Sequence, residues 1–115
     1  VNAGTNRRGH FRLKYLPGAG PVLAWDGRTC EVVELSERGL RVADAGHTPP
    51  LAERVAGVLH FPDGAHTAIT GSVTRVVGGW VVLRLARGVT LGRMLAEQRR
   101  VLRDFPTFLR PAAGE

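Results

Sequence analysis

A chain of 115 residues with 43% hydrophobic and 23% charged side chains has the size and composition of one small globular domain, which excludes a disordered tail and a coiled coil. Sixteen Lys and Arg against 10 Asp and Glu give 16 − 10 = +6, a balance that attracts anionic partners. Fifteen Gly and 7 Pro ask for many tight turns and argue against an all-helical bundle. The longest apolar runs, such as Trp80 to Leu83, fall far short of the roughly 20 residues of a membrane helix.

The charge is concentrated at the start: Arg7, Arg8, Arg12 and Lys14 give residues 1–14 a charge of +4 without an acid. No apolar stretch of the secretory kind accompanies these residues, so the expectation is a cytoplasmic protein with a flexible basic arm over about 1–9. His10 to Leu16 then alternates as a strand, with Phe11, Leu13 and Tyr15 on one face. Pro17, Gly18 and Gly20 end it. Pro21 to Trp25 and Thr29 to Leu35 flank Asp26-Gly27, a strong hairpin signal, and Leu40 to Ala43 continues the meander. Asp44 to Pro50 reads as a loop. A strand over about Arg54 to Phe61 precedes Pro62-Asp63-Gly64, and a second hairpin joins Thr67–Val77 to Trp80–Arg87 through Gly78-Gly79. Val81, Leu83 and Leu85 mark its core-facing side.

From Thr90 to Phe105 the period changes. Leu91, Met94, Leu95, Val101, Leu102 and Phe105 stand at offsets 0, 3, 4, 10, 11 and 14, the spacing of an apolar helix face, with Arg93, Glu97, Arg99, Arg100 and Arg103 on other faces. Thr90 is the expected N-cap and Pro106 the stop. Six or seven short strands followed by one helix predict a mainly all-β domain, a six-stranded antiparallel barrel over about 10–88 with a C-terminal helix over about 90–105 and a loose tail over 106–115.

Catalytic apparatus is not visible. His10, His47, His60 and His66 lack the spacing and acidic companions of a zinc site. Ser36 and Ser72 sit in no nucleophile elbow. The odd separation of Glu31 and Glu34 predicts opposite strand faces. Cys30 has no second cysteine to pair with and reads as a small half-buried hydrophobe. The Walker and dinucleotide glycine motifs are absent. The expectation is a binding protein rather than an enzyme, with no cofactor and no metal.

Two short motifs stand out. Arg8-Gly9-His10-Phe11-Arg12 is an R-x-x-x-R at the entrance to the first strand, and Glu34-Leu35-Ser36-Glu37-Arg38-Gly39 lies at a strand end. In order, spacing and fold setting they resemble the signature of PilZ domains, R-x-x-x-R followed by [DN]-x-S-x-x-G on a six-stranded barrel with a C-terminal helix. Glu34 departs from the pattern, standing where that family has Asp or Asn.

The resemblance implies a receptor for cyclic di-GMP, a second messenger with two guanines and two phosphodiesters. Arginine forks suit phosphate oxygens and the O6/N7 edge of guanine. Glu34 and Ser36, two apart on one strand, share a face, where a carboxylate can accept from guanine N1–H and N2–H. The implied site is Arg7, Arg8, Arg12, Glu34, Ser36 and Gly39, with Gly39 letting the chain turn closely beneath the ligand. Arg38, Arg41 and His10 are further candidates for the same surface, although solvated barrel positions also account for them. On this reading the arm closes over the ligand and an effector protein in motility, pilus, biofilm or polysaccharide control reads the change. Two alternatives stay open: a PilZ-like protein-interaction module without ligand, and a small-barrel nucleic-acid binder. The second is weakened by the shortage of aromatics, which are only 6% of the chain.

Overall fold

The computed structural model describes residues 12–43 and 49–105. These form β1 (Leu13–Lys14), β2 (Val22–Trp25), β3 (Arg28–Ser36), β4 (Gly39–Ala43), β5 (Arg54–His60), β6 (His66–Val77), β7 (Trp80–Arg87) and α1 (Leu91–Asp104). The strands run in the order β1-β3-β2-β5-β6-β7-β4, all pairs antiparallel, and a further β3–β4 pairing closes the sheet. β2 to β7 therefore make the expected closed six-stranded barrel, with β1 as an extra strand beside β3.

The hairpin turns follow from residues that tolerate left-handed backbone. Asp26 and Gly27 have φ of 55° and 77°, and Gly78 and Gly79 have 35° and 85°. Two successive left-handed residues give the turn whose twist matches the flanking strands. Inward alternation then fills the barrel: Leu23, Val32, Leu35, Leu59, Ile69, Val73, Val81, Leu83 and Leu85 are all buried. Of the strand expected over His10 to Leu16, Leu13 and Lys14 are the described residues that pair with β3, and the described strand ends before Tyr15 and Leu16. His10 and Phe11 lie outside the described residues.

Strand β3 carries a bulge that corrects one expectation. Val32 pairs with Val42 and Glu34 with Arg41, so one extra residue, Val33, is accommodated between them. The inward sequence becomes Cys30, Val32 and Leu35, all buried. Glu31 and Glu34, despite their odd separation, both fall on the outer face. Glu31 there accepts from the Gly18 N–H.

The helix corrects another. Thr90 caps it as expected, its hydroxyl oxygen accepting from Arg93 N–H at 3.0 Å. The face turned to the barrel, however, is Met94, Glu97, Arg100 and Val101, while Leu91, Leu95 and Leu102 are exposed. Apolar spacing alone sets Glu97 and Arg100 on solvent-facing sides. They are buried because they are satisfied: Glu97 accepts from the Tyr15 hydroxyl at 2.8 Å and from Arg100 at 2.9 and 3.1 Å. Arg93 reaches the same carboxylate at 3.2 Å and Asp63 at 2.8 Å, with its guanidinium over the Phe61 ring. Arg100 also donates to the Ala19 carbonyl at 3.1 Å. This network fastens α1 across the barrel end formed by the β1–β2 loop and the β5–β6 turn. Gly20 makes room for it, since a Cβ there would come within 2.6 Å of the Tyr15 ring.

Burial, followed by the adjacent Glu97 charge and hydrogen bond, pushes the Tyr15 phenol far above its usual range. The hydrogen bond from Arg93 holds Asp63 below the ordinary carboxylate range, and the one to Glu97 holds the Arg100 proton more tightly than usual.

Candidate functional site

Four of the six residues singled out in the sequence lie in one place. Arg12, Glu34, Ser36 and Gly39 line a single depression of about 80 Å³ on the outside of the barrel, together with Leu35, Leu40, Arg41, Val82 and Leu83. Arg7 and Arg8 lie outside the described residues.

Register explains the convergence. Leu13 pairs with Leu35 and Lys14 with Glu34, so Arg12, just before β1, arrives level with Ser36. On the other side of β3 the two-residue turn Glu37-Arg38 closes the pairs Ser36↔Gly39, Leu35↔Leu40 and Glu34↔Arg41. With Leu35 and Leu40 turned into the core, Glu34, Ser36 and Arg41 share the outer face. The bulge at Val33 maintains this arrangement while Val32 also stays inside.

The turn itself is anchored. Its two carbonyls accept from Leu85 N–H at 2.9 Å (Arg38 O) and Val89 N–H at 3.2 Å (Glu37 O), and the Ser36 hydroxyl donates to Gly39 O at 3.3 Å. The Ser36 oxygen can therefore still accept from a ligand. Gly39 does not have a left-handed backbone. Its lack of a side chain serves close packing instead: a Cβ would stand 3.3 Å from the Leu83 carbonyl and 3.6 Å from the Ser36 oxygen.

Arg41, a secondary candidate in the sequence, belongs to the site. Its Nε lies 3.7 Å from a Glu34 carboxylate oxygen, and the two side chains are 41% and 13% exposed respectively. That spacing is an ion pair but too long for a hydrogen bond, and the buried Arg41 Nε has no hydrogen-bond partner among the described residues. Among the described residues, the Arg41 Nε donor and the Glu34 acceptors have no hydrogen-bond partner. The sequence carries the signal for this placement, since a two-residue turn at Glu37-Arg38 sets position 41 opposite position 34. Arg38, the other arginine near the motif, lines a different hollow with β5, β6 and β7.

The depression is small, with a mixed lining of two guanidiniums, a carboxylate, a hydroxyl and apolar residues. It can hold one edge of a planar polar group or one phosphate, while the rest of a larger ligand lies across the outer wall.

No family model matches the sequence, and no curated protein matches it. A crystal structure of an uncharacterized Legionella protein shares the fold, with a TM-score of 0.58 at 22% identity over 84% of this chain and 98% of the other.

Proposed function

We propose that this chain is a PilZ-type receptor for cyclic di-GMP that carries out no chemistry and passes the signal to a partner protein. The observation that supports this reading is the convergence of Arg12, Glu34, Ser36 and Gly39, from two motifs more than twenty residues apart in the sequence, on one depression beside Arg41. Arg12 and Arg41 supply guanidinium donors for phosphate or for a guanine O6/N7 edge. Glu34 supplies acceptors for the guanine N1–H and N2–H donors, and Ser36 adds a hydroxyl on the same face. Because the depression is much smaller than the dinucleotide, the ligand rests on the barrel, and Arg7 and Arg8 close over it from the N-terminal side.

Calorimetric titration with cyclic di-GMP, GMP and a single-stranded oligonucleotide tests the proposal. Saturable binding of cyclic di-GMP in clear preference to GMP and the oligonucleotide is the expected result, because only the cyclic dinucleotide joins two guanines and two phosphates in one compact dianion. Equal weak binding of all three sinks it. A second reading, an interaction module of the same fold without a nucleotide ligand, draws on the Glu34–Arg41 ion pair, which partly neutralises both groups. Total absence of cyclic di-GMP binding together with a stable fold would favour it.

A further inference from the structure

A second, larger hollow lies on the wall of the barrel beyond the first. It has a volume of about 660 Å³, within the range of small-molecule sites. Arg38, Arg54 and Arg84 stand around it, and among the described residues no Asp or Glu lines it. The described residues give none of these three guanidiniums an ion pair or a side-chain hydrogen bond.

Strand register shows how the hollow is built. Arg54 in β5 pairs with Ser72 in β6, and Ser72 pairs with Arg84 in β7. Their neighbours Val55, Val73, Leu83 and Leu85 are buried, so this row faces outward. Adjacent strands are about 4.8 Å apart, which puts the two arginine Cα atoms roughly 10 Å from each other with the Ser72 hydroxyl between them. Two guanidinium arms over that distance can converge on one anion above Ser72. The adjoining outward positions are small, Ala56, Thr70 and Ala86, so the arginines rise as walls above a shallow floor. Gly71 keeps the floor tight, since a Cβ there would meet the Arg84 carbonyl at 2.2 Å. Arg38 projects from the β3–β4 turn, whose carbonyl is held by Leu85 N–H at 2.9 Å.

We infer that this hollow is a second binding site, for a phosphorylated small molecule. Its phosphate sits over Ser72 between Arg54 and Arg84, and its remaining atoms lie on the Ala56, Thr70 and Ala86 floor. A converging pair of forks with a hydroxyl between them matches the several oxygens of one phosphate. Carboxylates spaced along an acidic peptide would instead need donors spread in a line. The inference does not depend on cyclic di-GMP binding at the first depression.

The test is amide and arginine Nε chemical-shift mapping with inorganic pyrophosphate, against sodium chloride of equal ionic strength, on the full chain. Saturable shifts confined to Thr70–Ser72, Arg84–Ala86 and the three arginine side chains are expected. Arg54→Gln with Arg84→Gln should weaken binding at least tenfold, and the paired Lys variants, which keep charge and lose the fork, should fall between. Arg12→Ala with Ser36→Ala should leave pyrophosphate binding in this hollow unchanged, which separates this site from the first. Co-sedimentation with phosphatidic acid vesicles, alongside saturable pyrophosphate binding, would assign the phosphate to a lipid headgroup; its absence would assign it to a soluble molecule. Shifts that rise without saturation, that move all exposed arginines alike, or that survive the double Gln substitution would overturn the inference. So would tighter binding of a hexaglutamate peptide than of pyrophosphate.

Discussion

Arginines at the helix-covered end of the barrel and arginines on its outer wall share a side chain and have opposite surroundings. At the end, Arg93 and Arg100 both bond the fully buried Glu97, and Arg93 also bonds Asp63. On the wall, Arg12 and Arg41 border one depression with a single loosely held carboxylate, and Arg38, Arg54 and Arg84 border a hollow with none. A buried guanidinium must be matched to be tolerated. An outward one on a rigid sheet can be left open for a ligand. The contrast teaches that, among the described residues, hydrogen-bonded carboxylates hold the guanidiniums of Arg93 and Arg100 at the barrel end, whereas those of Arg38, Arg54 and Arg84 on the wall have no carboxylate partner.

Removing the shared carboxylate is the most severe way to break that contrast. Glu97→Ala strips the buried Arg100 of both carboxylate hydrogen bonds, leaving only the partly exposed Asp104 carboxylate at 3.8 Å, and leaves the Tyr15 hydroxyl without its acceptor, so unfolding free energy in urea should fall by about 3 kcal/mol. Glu97→Gln, which keeps an oxygen for Tyr15, should cost less than the Ala variant. A loss below about 1 kcal/mol for Glu97→Ala would mean that apolar packing of Met94 and Val101, rather than the charge network, holds α1.

The opposite behaviour is expected on the wall. Arg12→Ala should weaken cyclic di-GMP binding by about 1.5–3 kcal/mol, the size of a lost charge-assisted contact. Its urea midpoint should correspond to a stability change within about 0.5 kcal/mol, as for exposed substitutions with no packed partner. A variant that loses stability and keeps affinity would place Arg12 with the fold-holding group.

Much of this division is legible in the amino-acid sequence. Asp26-Gly27 and Gly78-Gly79 announce their hairpins because each demands left-handed backbone, and Val81, Leu83 and Leu85 alternate without interruption. The barrel follows from those strands. The grouping of Arg12 with Glu34 and Ser36 is suggested by the two motifs and explained by the β1–β3 and β3–β4 registers. The helix face is a different matter, because counting apolar residues treats Glu97 and Arg100 as solvent-facing; their burial depends on Tyr15, which is 82 residues from Glu97. The shared face of Glu31 and Glu34 is hidden by a bulge, and no local residue pattern around Val33 marks it. The hollow at Arg54 and Arg84 needs the pairing of three strands, which periodicity alone does not provide.

Alkaline pH probes the end of the barrel on its own. Tyr15 is the single tyrosine, and burial followed by the Glu97 charge keeps its folded-state pKa far above the ordinary value. In the unfolded chain it ionises near pH ~10. Below that pH both states hold the proton and the stabilisation is complete. Above it the unfolded state binds fewer protons than the folded one, so stability should fall by about 1.4 kcal/mol per pH unit. Urea unfolding at about pH 9, 10 and 11 should show little change up to pH 10 and a loss of about 1 kcal/mol from there to pH 11 in the parent protein, and no such loss in Tyr15→Phe. The same slope in both proteins would assign the alkaline loss to another group.

The finest test falls on Glu34, where the two kinds of surroundings meet. Its carboxylate is mostly shielded, yet its arginine neighbour stands at 3.7 Å, outside hydrogen-bond range. If its oxygens accept from guanine, Glu34→Gln replaces one acceptor with a donor that faces guanine donors, and affinity for cyclic di-GMP should fall by about 1 kcal/mol. Glu34→Asp keeps the acceptors, withdraws them by one methylene from Arg41 and restores the residue usual in the PilZ pattern, so it should bind at least as tightly as the parent. Neither change should move the urea midpoint by more than about 0.5 kcal/mol equivalent, because a loose, partly exposed ion pair contributes little to stability. Equal affinity in all three proteins would remove Glu34 from the ligand site and leave it as the partner of Arg41. A drop in stability with unchanged affinity would move the Glu34–Arg41 pair to the fold-holding side.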